Sequence, residues 1–269
     1  GIATSRWLLR KAQEALVETA ERAGIGLTIF HGRSVSSSRG GSRTEVLVRT
    51  MPQGALRGGL KITEQGELIN DKYGLRPIAL RVFEQALNAI SLSVAGVTPP
   101  ERVSPDWREA MELAAREGRQ RYRAVVHEDA EFHGFFRQVT PIDVIERMQI
   151  GSRAAIHRDV AGSAGIRAIP WAFAWSQCRY MIPGWFGFGS ALAAVEQKYG
   201  ESILGEMHAR WFYFENLVDD VEIAVARAEM DIATYYDELV DARFGRFAQA
   251  LRLEHELARN FVLKLKGSA

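Results

Sequence analysis

His31-Gly32-Arg33, followed six residues after its arginine by Arg39-Gly40-Gly41, sets one histidine and two arginines around a run of serines and glycines. An arginine guanidinium donates paired hydrogen bonds to a carboxylate or a phosphate. Glycine lets backbone N–H groups approach a ligand and lets a loop close. An anion site is one reading of this stretch, and a solvated surface loop is the other. A second group is Gly151-Ser152-Arg153 with, fourteen residues on, Arg167-Ala168-Ile169-Pro170-Trp171. Arginines beside apolar segments are costly unless paired, so they meet either an anion or structural carboxylates. Thr63-Glu64-Gln65-Gly66-Glu67 offers two carboxylates that would hold a metal or pair with arginines. Arginine pairing is the expectation. His127, His133, His157, His208 and His255 share no metal-ligand spacing and read as structural or solvated. GxSxG, a Walker loop and a GxGxxG in a strand-to-helix context are all missing.

Elements must hold these groups in place. Trp7 to Ala23 carries a helical apolar stripe with Gly24 as its C-terminal cap. Gly26 to Phe30 reads as a buried strand running into His31, and Leu60 to Thr63 as a second strand running into Glu64. Residues 77–95, 105–128 and 141–149 read as helices, with Pro105 and Pro141 near their first positions. Gln149 to Arg153 and Arg167 to Trp175 resemble strands. From Ser190 to Lys266 the pattern is helical, broken at Gly200 and around Phe244-Gly245. The prediction is a mostly α chain with a minority of β, its polar residues at the C-terminal ends of strands, where α/β folds place their chemistry. Thr98-Pro99-Pro100-Glu101 is the one obvious connector, so a break is expected near residues 97–104.

Composition narrows the classes. The 269 residues are 47% hydrophobic and 25% charged, with a net charge of +1, which excludes a disordered, collagen-like or coiled-coil chain. Near neutrality gives no global signal for nucleic acid or for a membrane surface. Cys178 is the one cysteine, which excludes an intrachain disulfide framework and a cysteine-based zinc site and suits a reducing, cytoplasmic compartment. The longest apolar run, Ala168 to Trp175, is too short to span a bilayer, and Arg6, Arg10 and Lys11 break up any signal-peptide centre. Gly1 at the start and Gly267-Ser268-Ala269 at the end are compatible with a piece of something longer.

Taken together in order, LTIFHGR with the following RGG (27–41), GGLKITEQGE (58–67), IGSR (150–153), IRAIPWAFAWSQCR (166–179) and GWFGFGSAL (184–192) make the chain resemble the C-terminal catalytic part of phosphoenolpyruvate carboxylase. The likeness runs from about residue 8 to residue 265. It implies a carbon–carbon lyase of carbon dioxide fixation and oxaloacetate metabolism, acting on phosphoenolpyruvate and bicarbonate. His31 and Arg33 match residues lining the substrate site, Arg39 the mobile-loop arginine that serves bicarbonate and carboxyphosphate, and Arg153 and Arg167 substrate ligands, the latter on phosphate. The resemblance implies Mg2+ or Mn2+, whose two carboxylate ligands lie in family sequence upstream of residue 1; the family's extreme C-terminus is also absent. The loop after His31-Gly32-Arg33 has serines and Val35 where the family favours glycine.

The fold so implied is a partial, half TIM-type α/β barrel surrounded by helices, with residues 1–269 as a single region. Half a barrel leaves strand edges and an apolar interior to cover, so the expectation is a homo-oligomer or a complementary subunit. His31, Arg33, Arg39, Arg153 and Arg167 are expected to converge, the loop 34–41 to stay mobile until an anion binds, and the chain alone to lack carboxylase activity. The alternative is a short homologue that binds a phosphorylated or dicarboxylic anion, or performs another reaction such as hydrolysis, without carboxylation.

Overall fold

The computed structural model of the chain describes residues 1–32, 43–56, 59–64, 66–97, 101–148 and 165–267. In chain order its elements are α1 (Ile2–Ala23), β1 (Phe30–Gly32), α2 (Thr44–Thr50), β2 (Lys61–Thr63), α3 (Gly66–Tyr73), α4 (Arg76–Val94), α5 (Pro105–Val126), α6 (Phe132–Val139), α7 (Ile142–Ile145), α8 (Ala168–Gln177), α9 (Phe188–Tyr199), α10 (Ser202–Arg210), α11 (Phe212–Arg227), α12 (Met230–Asp237) and α13 (Gly245–Lys266). The described residues are mostly helical, as the periodicity predicted. Gly24 ends α1 at φ +64°, a left-handed cap that glycine adopts without a Cβ clash. Pro105 opens α5, where a missing N–H costs nothing.

Three local expectations are corrected. Arg167 to Trp175 is no strand: residues 168–177 are α8. An unbroken apolar run has no period to separate helix from strand, and here Trp171, Ala174 and Trp175 recur at helical spacing, with Ala174 and Trp175 buried. The first strand is displaced, occupying Phe30–Gly32 instead of Gly26 to Phe30. The helix expected over 141–149 shrinks to α7. Gln149 to Arg153 and the loop 34–41 lie outside the described residues.

The chain divides into two compact units, with α1, α5 and α11 each contributing to both. The first comprises Gly1–Thr4, Glu112–Glu201 and Val221–Ala269. Its core is aromatic. Trp175 is fully buried, with Phe136 at 5.2 Å and Phe132 at 6.1 Å between ring centroids, and Phe247 packs edge-on to Phe132 at 5.4 Å. Tyr180, also fully buried, donates to both carboxylate oxygens of Asp237 at the end of α12, and its carbonyl accepts from Trp185 Nε1 at 2.8 Å. Its neighbours Arg179 (φ +63°) and Met181 (φ +53°) adopt the left-handed region that side chains disfavour. That turn persists because the Tyr180 contacts over-determine it.

Helices α9 and α13 meet where Gly189 leaves no room: a Cβ there would lie 2.7 Å from Ala258 N. Beside this crossing, Glu254 of α13 is buried and accepts from the Ser190 N–H at 2.9 Å, the Ser190 hydroxyl and Arg121 Nε at 3.4 Å. A carboxylate at the first turn of α9 meets N–H groups with no partner in their own helix, and the helix dipole. The apolar run Trp185 to Ala194 is largely buried within the first unit, under α13 among other elements.

The second unit comprises Ser5–Met111 and Ser202–Asp220. Trp7, Trp107, Trp211 and Tyr213 form its aromatic core, with Trp107 stacked on Trp211 at 6.1 Å. Arg10 lies buried over Tyr213, 4.8 Å from the ring centre, and donates to Glu14 (3.1 Å), the Thr50 carbonyl (3.3 Å) and Glu101 (2.5 Å). Each side of its fork is satisfied, the condition on which a buried guanidinium depends. A smaller apolar cluster joins Val48 and Leu56 to Ala89 of α4, with Met51, Leu60 and Ile90 against it. Strands β1 and β2 pair in parallel, in the register Phe30 to Lys61, His31 to Ile62 and Gly32 to Thr63. They are the strands among the described residues, where the sequence suggested four across the chain.

Candidate functional site

The parallel pairing of β1 and β2 sets the direction of the site. Both strands end at one edge, β1 at Gly32 just before Arg33 and β2 at Thr63 just before Glu64. His31 is the middle residue of β1 and is buried. The strand holds its backbone one residue before the strand's C-terminal end, the placement that α/β folds give to reactive groups. Among the described residues Glu64 pairs with a lysine, where an arginine was expected. Its Oε1 accepts from Lys72 Nζ of α3 at 2.6 Å. The lysine, eight residues on in α3, neutralises a carboxylate at a strand end.

Arg167 occupies a different setting. It is the N-cap of α8, with φ −69° and ψ 156°, and its carbonyl accepts from Trp171 N at 2.9 Å. Its Nε is buried without a hydrogen-bond partner among the described residues. The first N–H groups of α8 have no acceptor within the helix, and the helix dipole adds partial positive charge there. Guanidinium, free amides and dipole together favour an anion, phosphate above all.

Of the five residues singled out from the sequence, His31 lies in the second unit and Arg167 in the first. Arg33, Arg39 and Arg153 lie outside the described residues. Among the described residues no group of three or more His, Cys, Asp and Glu is placed to hold a metal ion. Mg2+ or Mn2+ therefore has no fitting donor set there.

Other reactive side chains among the described residues sit in packed settings. Cys178 is fully buried and desolvation pushes its thiol up to about 12, so it carries no thiolate at neutral pH. His255 Nε2 sits 3.3 Å from the Val225 carbonyl, and burial lowers its pKa. His127 packs on Tyr122 at 5.8 Å and is lowered by burial, then by Arg123; His133 is lowered by burial, then by Arg137. No helix among the described residues is long and apolar enough to cross a membrane.

The family described as phosphoenolpyruvate carboxylase matches residues 1–269. A protein of Xanthomonas campestris pv. campestris strain 8004 bearing that name is 42% identical over 99% of this chain. One from Pectobacterium carotovorum is 37% identical over 99% of it, and one from Shewanella loihica 37% over 100%. In each case the chain spans 30% of the relative's length.

Proposed function

Because this chain belongs to the phosphoenolpyruvate carboxylase family, we propose that it supplies the substrate-binding portion of the catalytic region of such a lyase, in a cytoplasmic assembly with family sequence that lies outside these 269 residues. In that chemistry a bicarbonate oxygen attacks the phosphorus of phosphoenolpyruvate. The bond from phosphorus to the enol oxygen breaks and leaves an enolate and carboxyphosphate. Carboxyphosphate separates into carbon dioxide and phosphate, and the enolate carbon takes up the carbon dioxide to form oxaloacetate. Every species on this path is anionic, and arginines fixed before the reaction are the groups that stabilise such charge.

The roles follow the residues. Arg167 takes the phosphate, with Arg153 as a second substrate ligand. His31 and Arg33 line the substrate, and Arg39 serves bicarbonate and carboxyphosphate. The parallel β1–β2 pair supports reading the second unit as part of an α/β barrel. The family's divalent metal, Mg2+ or Mn2+, is held by carboxylates from outside this chain, since the described residues do not fit it. What this chain contributes is anion binding, each charge-assisted hydrogen bond being worth about 1.5–3 kcal/mol.

One observation carries the reading: Arg167, matched to a phosphate ligand by resemblance, caps the N-terminus of α8 with its Nε buried and without a partner among the described residues. The test is a chimera of the Xanthomonas campestris relative whose matched region is replaced by this chain, assayed for oxaloacetate with Mg2+. Arg167→Ala is expected to lower kcat/KM at least about tenfold, the loss of roughly 1.4 kcal/mol. Arg167→Lys, which keeps the charge and loses the fork, should fall between. An Ala variant as active as its parent contradicts the assignment.

A further inference from the structure

Helix α4 is apolar on two sides. One side carries Ala89 and Ile90 and packs on the Val48–Leu56 cluster. The other carries Leu80, Phe83, Leu87 and Val94, spaced i, i+3, i+7 and i+14, and these are 51%, 59%, 66% and 65% exposed. Single exposed leucines are ordinary, but a continuous stripe of large apolar groups along a helix marks a contact surface. Tyr73 stacks on Phe83 at 5.2 Å and 24°, which holds that ring in place on the stripe. The same unit exposes Phe30 on a two-stranded parallel sheet. Parallel sheets are found covered, and built from more strands than two.

We infer that the outer face of α4 is an internal docking surface, and that its occupant is an apolar face contributed by the phosphoenolpyruvate carboxylase sequence outside these 269 residues. Two observations select that occupant. This chain matches relatives of which it spans 30%, so the larger part of each relative lies beyond the match. The exposed strands are also parallel. A second copy of this chain that extends a sheet across a twofold axis pairs equal edges and sets strands antiparallel. Further parallel strands come from crossover units, which that larger part has the length to supply.

This surface is independent of the roles given to the arginines, and a labelling experiment separates the two. Leu87→Cys is introduced into the isolated chain and into the chimera with the Xanthomonas campestris relative, and maleimide modification of residue 87 is followed by mass spectrometry. Native Cys178 is fully buried and serves as the protected reference. Residue 87 should react at least tenfold more slowly in the chimera than in the isolated chain, whether or not the chimera forms oxaloacetate. Equal rates in the two overturn the proposal. Protection that appears in the isolated chain as its concentration rises also overturns it, in favour of a second copy. A Phe83→Asp chimera gives an independent reading: it should lose solubility or expose apolar surface to a fluorescent dye, while the same change leaves the isolated chain unaltered. A Phe83→Asp chimera indistinguishable from its parent contradicts the assignment.

Discussion

The α8–α9–α13 region and the α2–α4 region bury apolar surface in opposite ways. In the first, Trp175, Trp185 and Phe188 are enclosed by the chain's own helices, and the buried Glu254 carboxylate is supplied with donors by Ser190 and Arg121. In the second, α4 covers one apolar side against Val48 and Leu56 and leaves Phe83 and Leu87 in solvent. Both regions have strong apolar patterns in sequence, yet α4 keeps Phe83 and Leu87 exposed while the α9–α13 crossing is buried. Apolar content alone does not tell which surface a chain closes for itself. Neighbours in space decide.

The sharpest way to break the contrast is to hollow out the closed region. Trp175→Ala should cost about 3–5 kcal/mol, the range for deleting a buried aromatic ring, and abolish a cooperative urea transition or shift it far down. Glu254→Ala removes a buried acceptor from the Ser190 N–H and from Arg121 and should cost about 3 kcal/mol. Gly189→Ala puts a methyl group 2.7 Å from Ala258 N and should cost about 1–3 kcal/mol by forcing α9 from α13. If either of these two leaves the urea midpoint unchanged, the closed crossing is not where that region's stability lies.

Acid should weaken the same region by a smaller amount. Burial lowers the pKa of His255 below its ordinary 6.5, with Arg259 lowering it further and the Val225 carbonyl and Glu229 opposing. The folded state then binds fewer protons than the unfolded chain, so stability rises with pH where the two states differ. The contribution is present above pH 6.5 and is lost as pH falls below it toward the folded value. His127 and His133 are lowered too and act in the same direction. His255→Gln should flatten the fall of the urea midpoint with acid; an unaltered slope assigns the pH dependence elsewhere. Smallest of all is the open face: Phe83→Ser in the isolated chain should change stability by no more than about 0.5 kcal/mol. A larger loss would mean that α4's outer face is already used within the chain.

Legibility in the sequence followed the same division. Helices with a clean stripe, such as α4 and α13, were readable, and so were the end of α1 at Gly24 and the start of α5 at Pro105, because these two residues act locally. Helix α8 was not, since eight consecutive apolar residues fit a buried strand as well as a helix. His31 was expected just past the end of a strand and is the middle residue of one, and Arg167 was expected in a strand setting that it does not have. Spacing suggested a strand-end arginine, whereas its setting is a helix N-terminus. The pairing of Glu64 with Lys72 was hidden because it depends on how α3 returns past β2. What covers Trp185 was open for a related reason: it packs against His255 of α13, which begins sixty residues later.

The proposed function gives this chain the anion-binding groups, while no metal donor set is placed among its described residues. Oxaloacetate formation from phosphoenolpyruvate and bicarbonate with Mg2+, measured by a coupled assay on the purified 269-residue chain beside the chimera, tests this most directly. The expected result is activity in the chimera and none above background in the chain alone. Robust Mg2+-dependent oxaloacetate formation by the chain alone would contradict it.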